Sequence, residues 1–245
     1  MTTATTKYQP KEILEIIQAN YKQQQQYDDI VLKNQELNFD TTILEWRDIC
    51  DLLETNQLWQ YLNFSFELDF DYKTWKTILE SEDNKTLKEL CEFISLNAEK
   101  EIIKPIKLFG QECQTAAIFR TFTNKLKNKG IDTSEIRPSS KLETLITKYG
   151  TVIIEEINHL DPTVLPPINY KTNWIYKWGL RTFMTLLLIT IILGLLKSNL
   201  AWTTGIIAFI GYLMTWIGAK LKPKQANFED LETVADVVRK IKYGT

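Results

Sequence analysis

Residues able to do chemistry are few in this chain and stand far apart. Cys50, Cys91 and Cys113 sit among apolar neighbours with no Cys-x-x-Cys spacing. That pattern predicts buried free thiols in a reducing compartment, not a disulfide framework or a zinc site. The one histidine, His159, has no second ligand at metal-binding spacing and reads as a surface or interface histidine near a helix end. Glu155-Glu156 and Asp28-Asp29 are adjacent carboxylates, but neighbours on a helix point to different faces. Both pairs are therefore expected as solvated charges, with no nucleophile and base nearby to make a reaction centre. No catalytic, cofactor-binding or metal-binding residue is assigned, and the expectation is a protein that is not an enzyme.

The elements that position everything else centre on residues 174–224. From Trp178, with Arg181 reaching back to the headgroups, an apolar run continues to Leu196, and Leu200 to Ala219 is a second run without any charge. Each approaches the ~20 residues that a helix needs to cross a bilayer, and Lys197-Ser198-Asn199 would form the turn between them. Lys171, Lys177 and Arg181 precede the pair, and Lys220, Lys222 and Lys224 follow it. This excess predicts an integral membrane protein with two spans and both termini cytoplasmic. Trp174, Tyr176, Trp178, Trp202 and Trp216 fall where interfacial aromatic belts are expected. Ala201, Gly205, Ala208, Gly211, Thr215 and Ala219 make a small-residue stripe on the second run, and Thr190, Gly194 and Ser198 a shorter one on the first. Such stripes let helices approach closely within the hairpin, or, through Gly205, Ala208, Gly211 and Thr215, between copies of the chain as a homo-oligomer. No charged residue lies within Thr182–Leu196 or Leu200–Ala219, so a charge-lined pathway has no support. The alternative is a helical hairpin buried in a soluble protein.

The chain has 245 residues and a formal net charge of −2, unevenly spread: about +6 from Lys171 onward and about −8 before it. An acidic N-terminal part argues against nucleic-acid binding. Met1–Gln9 has no apolar leader, so membrane insertion is expected to rely on the hairpin itself.

Outside the hairpin the periodicity is helical. Pro10 opens a helix with Ile13, Ile17 and Tyr21 on one face, running into a solvated Gln23–Gln26 end. Asp40 or Thr41 would cap one core helix carrying Trp46, Ile49, Cys50 and Leu53, then Leu58, Trp59 and Leu62. Phe64, Phe66, Leu68, Phe70 and Tyr72 alternate with polar residues but have no partner strand, which suggests an extended loop. Thr86 and Glu89 form a capping box for a helix to about Asn97, Pro105 interrupts a packed linker, and Gly130 ends a helix bearing Ile118, Phe119, Phe122 and Leu126. Ser140 and Glu143 read as another capping box, followed by a helix over Thr151–Leu160. A last helix from Asn227 or Phe228 shows Leu231, Val234, Val238 and Ile241 on one face and needs a docking partner.

Phe39-Asp40-Thr41-Thr42-Ile43-Leu44-Glu45 and Arg137-Pro138-Ser139-Ser140-Lys141-Leu142-Glu143 are alike, each lying between a helix and a longer apolar-faced helix. Both resemble the loop after the first helix of acyl carrier proteins. In the first unit the similarity extends through Arg47-Asp48-Ile49-Cys50-Asp51-Leu52 and Phe66-Glu67-Leu68-Asp69 to Thr86–Ile94, which resembles the family's last helix. In the second it runs to Leu165-Pro166-Pro167, and Leu231–Val238 resembles the missing last helix. The resemblance implies an all-α fold: two small acyl-carrier-like helical units, the second split by a transmembrane hairpin. The expected division is an N-terminal unit over 1–100, a linker over 101–113, a second unit over 114–170, the hairpin over 174–224 and a completing helix over 227–245. The family attaches phosphopantetheine to an Asp-Ser-Leu serine, whereas Arg47-Asp48-Ile49 and Tyr149-Gly150-Thr151 occupy the comparable places here, so no such cofactor is expected. The functional expectation is a membrane-anchored interaction or scaffold protein that presents cytoplasmic modules to protein partners. The alternatives are a hairpin working as an oligomeric pore or lipid-handling subunit, and a membrane-tethered accessory subunit of an enzyme.

Overall fold

The computed structural model describes residues 4–28, 30–108, 110–171, 174–196, 200–221 and 225–244. Asp29, the expected turn at Lys197-Ser198-Asn199 and the flanking Lys222 and Lys224 lie outside the described residues. So do the side chains of Lys171, Trp174, Lys177, Ala201, Ala219 and Lys220. The elements run β1 (Thr5–Lys7), α1 (Pro10–Tyr27), α2 (Ile43–Cys50), α3 (Thr55–Phe66), α4 (Tyr72–Leu79), α5 (Leu87–Asn97) and β2 (Glu99–Glu101). They continue with β3 (Ile106–Leu108), β4 (Gln111–Cys113), α6 (Gln114–Asn128), α7 (Leu142–Tyr149), α8 (Thr151–Leu160) and β5 (Asn169–Lys171). The last are α9 (Trp174–Leu195), α10 (Leu200–Leu221), β6 (Gln225–Asn227) and α11 (Val234–Gly244). Helices dominate, and the strands among the described residues are three short antiparallel pairs, β1–β2, β3–β4 and β5–β6.

Local chemistry explains most boundaries. Pro10 opens α1, where its missing N–H costs nothing, and Glu12 reaches back to the Gln9 N–H. Thr42, not Asp40 or Thr41, caps α2: its hydroxyl accepts from the Glu45 N–H, and Glu45 accepts from the Thr42 N–H. The expected single core helix is broken, because Asp51 adopts a left-handed φ of 48° and ends α2 before α3 begins at Thr55. Phe64 and Phe66, expected in an extended loop, form the last turn of α3, which Glu67 ends at φ 54°. The alternation there is helix followed by loop, so period alone misled. The Thr86–Glu89 box is present as expected. Ser140 instead accepts the Arg137 N–H, leaving Lys141 as the N-cap of α7 without a side-chain bond. Gly130, at φ +81°, follows the C-cap of α6 as expected. The segment expected to be a linker holds the β3–β4 pair, and β2 ends at its first residue, Glu101. Gln23, expected to be solvated, is buried and donates to the Leu165 and Pro166 carbonyls while accepting from the Ile168 N–H.

Contacts divide the chain into a helical unit, Met1–Ile168 with Phe228–Thr245, and a second unit, Asn169–Asn227. In the helical unit α1 lies against both α5 and α8, and α6 against α8 and α11. The first half packs Ile13, Ile17, Trp46, Leu58, Leu62, Trp75 and Leu79 around Leu87, Leu90, Cys91 and Ile94 of α5. α11 starts at Val234, later than the expected Asn227 or Phe228, while Phe228 and Leu231 are buried in the segment before it. Val234, Val237, Val238 and Ile241 face a small gap shared with Phe122, Leu142, Ile157 and Leu160.

One backbone pattern occurs twice. The Ile43 N–H donates to the Lys85 carbonyl, Leu87 to Thr41 and Lys88 to Phe39; likewise Leu142 donates to Glu232, Val234 to Ser140 and Ala235 to Pro138. The two sets share one spacing within each strand of the pairing and are bridges of the same type, Thr42 with Thr86 and Lys141 with Thr233. Asp236 accepts from the Thr233 N–H as Glu89 does from Thr86. The buried positions of α5, Leu87, Leu90, Cys91 and Ile94, recur in α11 as Val234, Val237, Val238 and Ile241.

In the second unit α9 and α10 form an antiparallel pair, and the strands at its two ends are zipped together, Asn169 opposite Asn227. Among the less exposed positions, residues 176, 179, 183, 186, 190 and 193 of α9 and 204, 208, 211, 215 and 218 of α10 recur at the alternating three-and-four spacing of an antiparallel coiled coil. Backbones come so close that a Cβ on Gly211 would stand 2.8 Å from the Phe183 nitrogen, and one on Gly218 2.6 Å from that of Tyr176. On α10 the expected stripe lies in this seam at Gly205, Ala208, Gly211 and Thr215, so the residues considered for homo-oligomerisation face α9 of the same chain. On α9 the expected stripe is corrected: Gly179, not Gly194, makes the close approach, and a Cβ on Gly194 would meet nothing.

Candidate functional site: an apolar hairpin and a buried polar cluster

The hairpin buries one narrow seam and exposes nearly everything else. Trp178, Met184, Leu188, Ile191, Trp202, Ile206, Phe209 and Trp216 are all more than half exposed. Trp178–Leu195 is long and apolar enough to cross a membrane, with a mean hydropathy of 1.8 and 6% of its residues buried. In α10 the described apolar stretch is Trp202–Gly218, flanked by Ala201 and Ala219, whose side chains lie outside the described residues, so Trp178–Leu195 is the one candidate span among the described residues. Where Gly194 and Gly205 leave space, an open apolar cleft of about 490 Å³ lies between Trp202, Ile206 and Phe209, with the Thr190 hydroxyl 3.0 Å from that of Thr204 at its floor.

The helical unit holds the second feature. His159, expected near the surface, is enclosed on α8, with Nδ1 3.3 Å from the Tyr8 hydroxyl and Nε2 3.0 Å from the Ser65 hydroxyl. Phe66 meets the ring edge to face at 4.9 Å. Glu156, expected as a solvated charge, is 2% exposed. Its carboxylate stands 3.9 Å from Lys125 Nζ and 3.7 Å from Lys129 Nζ, and Lys125 also reaches Glu67 at 3.2 Å. Lys129 donates to the Phe64 carbonyl and lies over the Phe64 ring. Asn158 donates to Asn20 at 2.8 Å. These groups come from α1 and the lead into it, from α3 and its C-cap, from α6 and its C-cap, and from α8, so the cluster ties the first half of the unit to the second. One charge too few would be expensive, since removing one partner of a buried ion pair costs ~3–5 kcal/mol.

A serine hydroxyl at 3.0 Å from an imidazole is the spacing of a nucleophile and its base, but the surroundings oppose that use. Burial pushes the His159 pKa down to about 3, and Lys125 and Lys129 add to the shift, so the ring is a feeble base. No carboxylate orients the other ring nitrogen; Tyr8 does, and burial raises its own pKa. The cavity that Ser65 adjoins measures about 40 Å³, room for about one water. The arrangement can hold a neutral imidazole between two hydroxyls, which is a structural task. Burial likewise raises the pKa of Glu156, and that of Glu155 to about 7 with Glu156 adding to it.

The cysteines remain apart. Cys50 and Cys91 are buried, and burial pushes both thiols up to about 12. Cys113, expected to be buried, is half-buried at the N-cap of α6, where Thr115 holds its thiol below the usual range. No cluster of three metal-ligating side chains occurs among the described residues. Asp48 lies within α2, and Gly150 separates α7 from α8. Sequence pattern could have found the buried cluster: Lys125 and Lys129 follow Thr121 at four-residue steps, continuing the inward face of α6.

The geometry defines a class, a mostly helical protein carrying an apolar helical hairpin. The chain matches no protein-family model, no curated protein and no solved structure.

Proposed function

We propose that the chain is a membrane-anchored binding module: α9 and α10 cross the bilayer, both termini lie in the cytoplasm, and the helical unit engages protein partners without catalysing a reaction. The observation that carries this is the exposure of the hairpin. A helix pair whose outer surface is Trp, Met, Leu, Ile and Phe, with its longest apolar window 6% buried, calls for a hydrocarbon surrounding. Its main-chain groups are paired within the helices, as hydrocarbon requires. The zipped β5 and β6 bring the two ends of the hairpin together, which suits an even number of crossings.

The twice-occurring backbone pattern supports a duplicated helical unit whose second copy is split, with the hairpin inserted where the first copy has α4 and with α11 standing where the first has α5. A likeness to acyl carrier proteins belongs to the same proposal at the level of fold, with no phosphopantetheine attached, since neither comparable position is a serine. The apolar cleft at Gly194 and Gly205 favours one second reading, a lipid-handling hairpin.

A reporter active only outside the cytoplasm, fused after Thr245, is expected to stay silent, while a cytoplasmic reporter at the same place is active. The opposite pair of results overturns the topology. Crosslinking in native membranes should then recover a defined protein partner through the helical unit; recovery of lipid alone favours the second reading.

A further inference from the structure

A cleft of about 250 Å³ in the helical unit lies between the end of the β1–β2 ribbon, the connector around Lys104 and one face of α6. Thr121 of α6 is 8% exposed yet lines this cleft, and its hydroxyl has no hydrogen-bond partner among the described residues. That is unusual for a helical threonine, whose hydroxyl ordinarily turns back to a carbonyl one turn earlier, as Thr123 of the same helix does to Phe119 at 3.1 Å. Arg120 and Asn124 flank it, and Lys104 stands on the connector; none of the three side chains makes an ion pair or hydrogen bond among the described residues. Arg120, Asn124 and Lys104 are exposed and so are free to turn from water to a ligand at the rim, while Thr121 offers a hydroxyl without a protein partner inside the cleft.

We propose that this cleft binds a small organic monoanion, a carboxylate carrying a short apolar body. Arg120 offers the planar fork that matches a carboxylate, with the Asn124 amide one helical turn away and the Thr121 hydroxyl between them. Glu101 also lines the cleft and sets the charge. Arginine and lysine against one glutamate leave a single positive charge, which suits a monoanion and disfavours a dianionic phosphate ester. Ile103 and Ile106 of the connector, with Ala117 beneath, receive the apolar body.

The test uses the full chain in lipid nanodiscs and 3-(4-fluorophenyl)propionate as probe, followed by fluorine NMR against empty nanodiscs. Saturable binding is expected, weakened about tenfold or more by Arg120→Gln and several-fold by Thr121→Val. The corresponding alcohol should not compete. The Arg120 side chain is exposed and makes no hydrogen bond or ion pair among the described residues, and a melt matching wild type identifies Arg120→Gln as a fair comparison; should Thr121→Val fail to fold, Lys104→Gln replaces it with the same expected weakening. The proposal is overturned if the wild type shows no saturable binding beyond empty nanodiscs or if Arg120→Gln binds equally well. Tighter binding of 4-fluorobenzyl phosphate would also overturn the ligand class.

Discussion

Ile241 of α11 is 4% exposed and shares a packed region with Phe122, Leu142 and Ile157, although the whole hairpin separates it from them in sequence. Ile241→Ala removes three buried carbons, worth about 0.8 kcal/mol each, and leaves a cavity, so the loss is about 3 kcal/mol. For a unit of this size that lowers the melting temperature by roughly 6–12 °C. Ile94, 0% exposed, holds the matching place on α5, and Ile94→Ala should lower the same transition by a similar amount. Lys240→Ala, on the exposed side of α11, should change stability by less than about 0.5 kcal/mol. Thermal melting followed by circular dichroism on the full chain measures all three, and hydrogen exchange locates the loosened amides. A near-neutral Ile241→Ala, beside a costly Ile94→Ala, would refute the claim that α11 completes the core of the second half.

In the hairpin, Gly211→Val and Gly218→Val should force the helices apart, at a cost of about 1–3 kcal/mol, because a Cβ there meets backbone below 3 Å. Gly194→Ala should be silent; crosslinking yield between engineered cysteines on α9 and α10 measures the difference, and equal yields for all three would contradict the seam. His159 has a folded pKa of about 3, below its unfolded 6.5, so its contribution is present above pH 6.5 and lost as pH falls toward 3. Glu155, raised to about 7 from 4.5, acts oppositely: its contribution is present below pH 4.5 and lost as pH rises through 7. The two offset each other between about 4.5 and 6.5, so Glu155→Gln should steepen the acid loss and His159→Gln should leave stability rising as pH falls from 7. Urea titrations across that range check the slopes; parallel slopes in the two variants would show that neither group is buried as described.

How much was legible in the residues depended on whether the deciding force was local. The Thr86–Glu89 box, Pro10 and Gly130 act within one turn of chain and could be read directly. The apolar runs of the hairpin needed only composition. Asp51 and Glu67 were missed because nothing in a non-glycine residue announces a left-handed conformation; the helices packed on either side impose it. The polar cluster was missed because burial of His159, Glu156 and Gln23 depends on partners distant in sequence, Tyr8 and Ser65 for the first, Lys125 and Lys129 for the second and Leu165 for the third. Gly179 was passed over because its partner, Thr215, lies on the other helix and shows only in register.

The placing of α11 beyond the hairpin has a consequence for timing. During synthesis the first half possesses every element of its own core once α5 has emerged, and can fold while the rest is still being made. α6, α7 and α8 emerge next but lack the helix that covers Phe122, Leu142 and Ile157, and that helix is made only after α9 and α10. An apolar surface therefore stays open for as long as the hairpin takes to be made and settled, and closes only when the chain returns through β6. A chain stalled before α11 is made would therefore carry an uncovered core, the kind of surface that chaperones and proteases recognise.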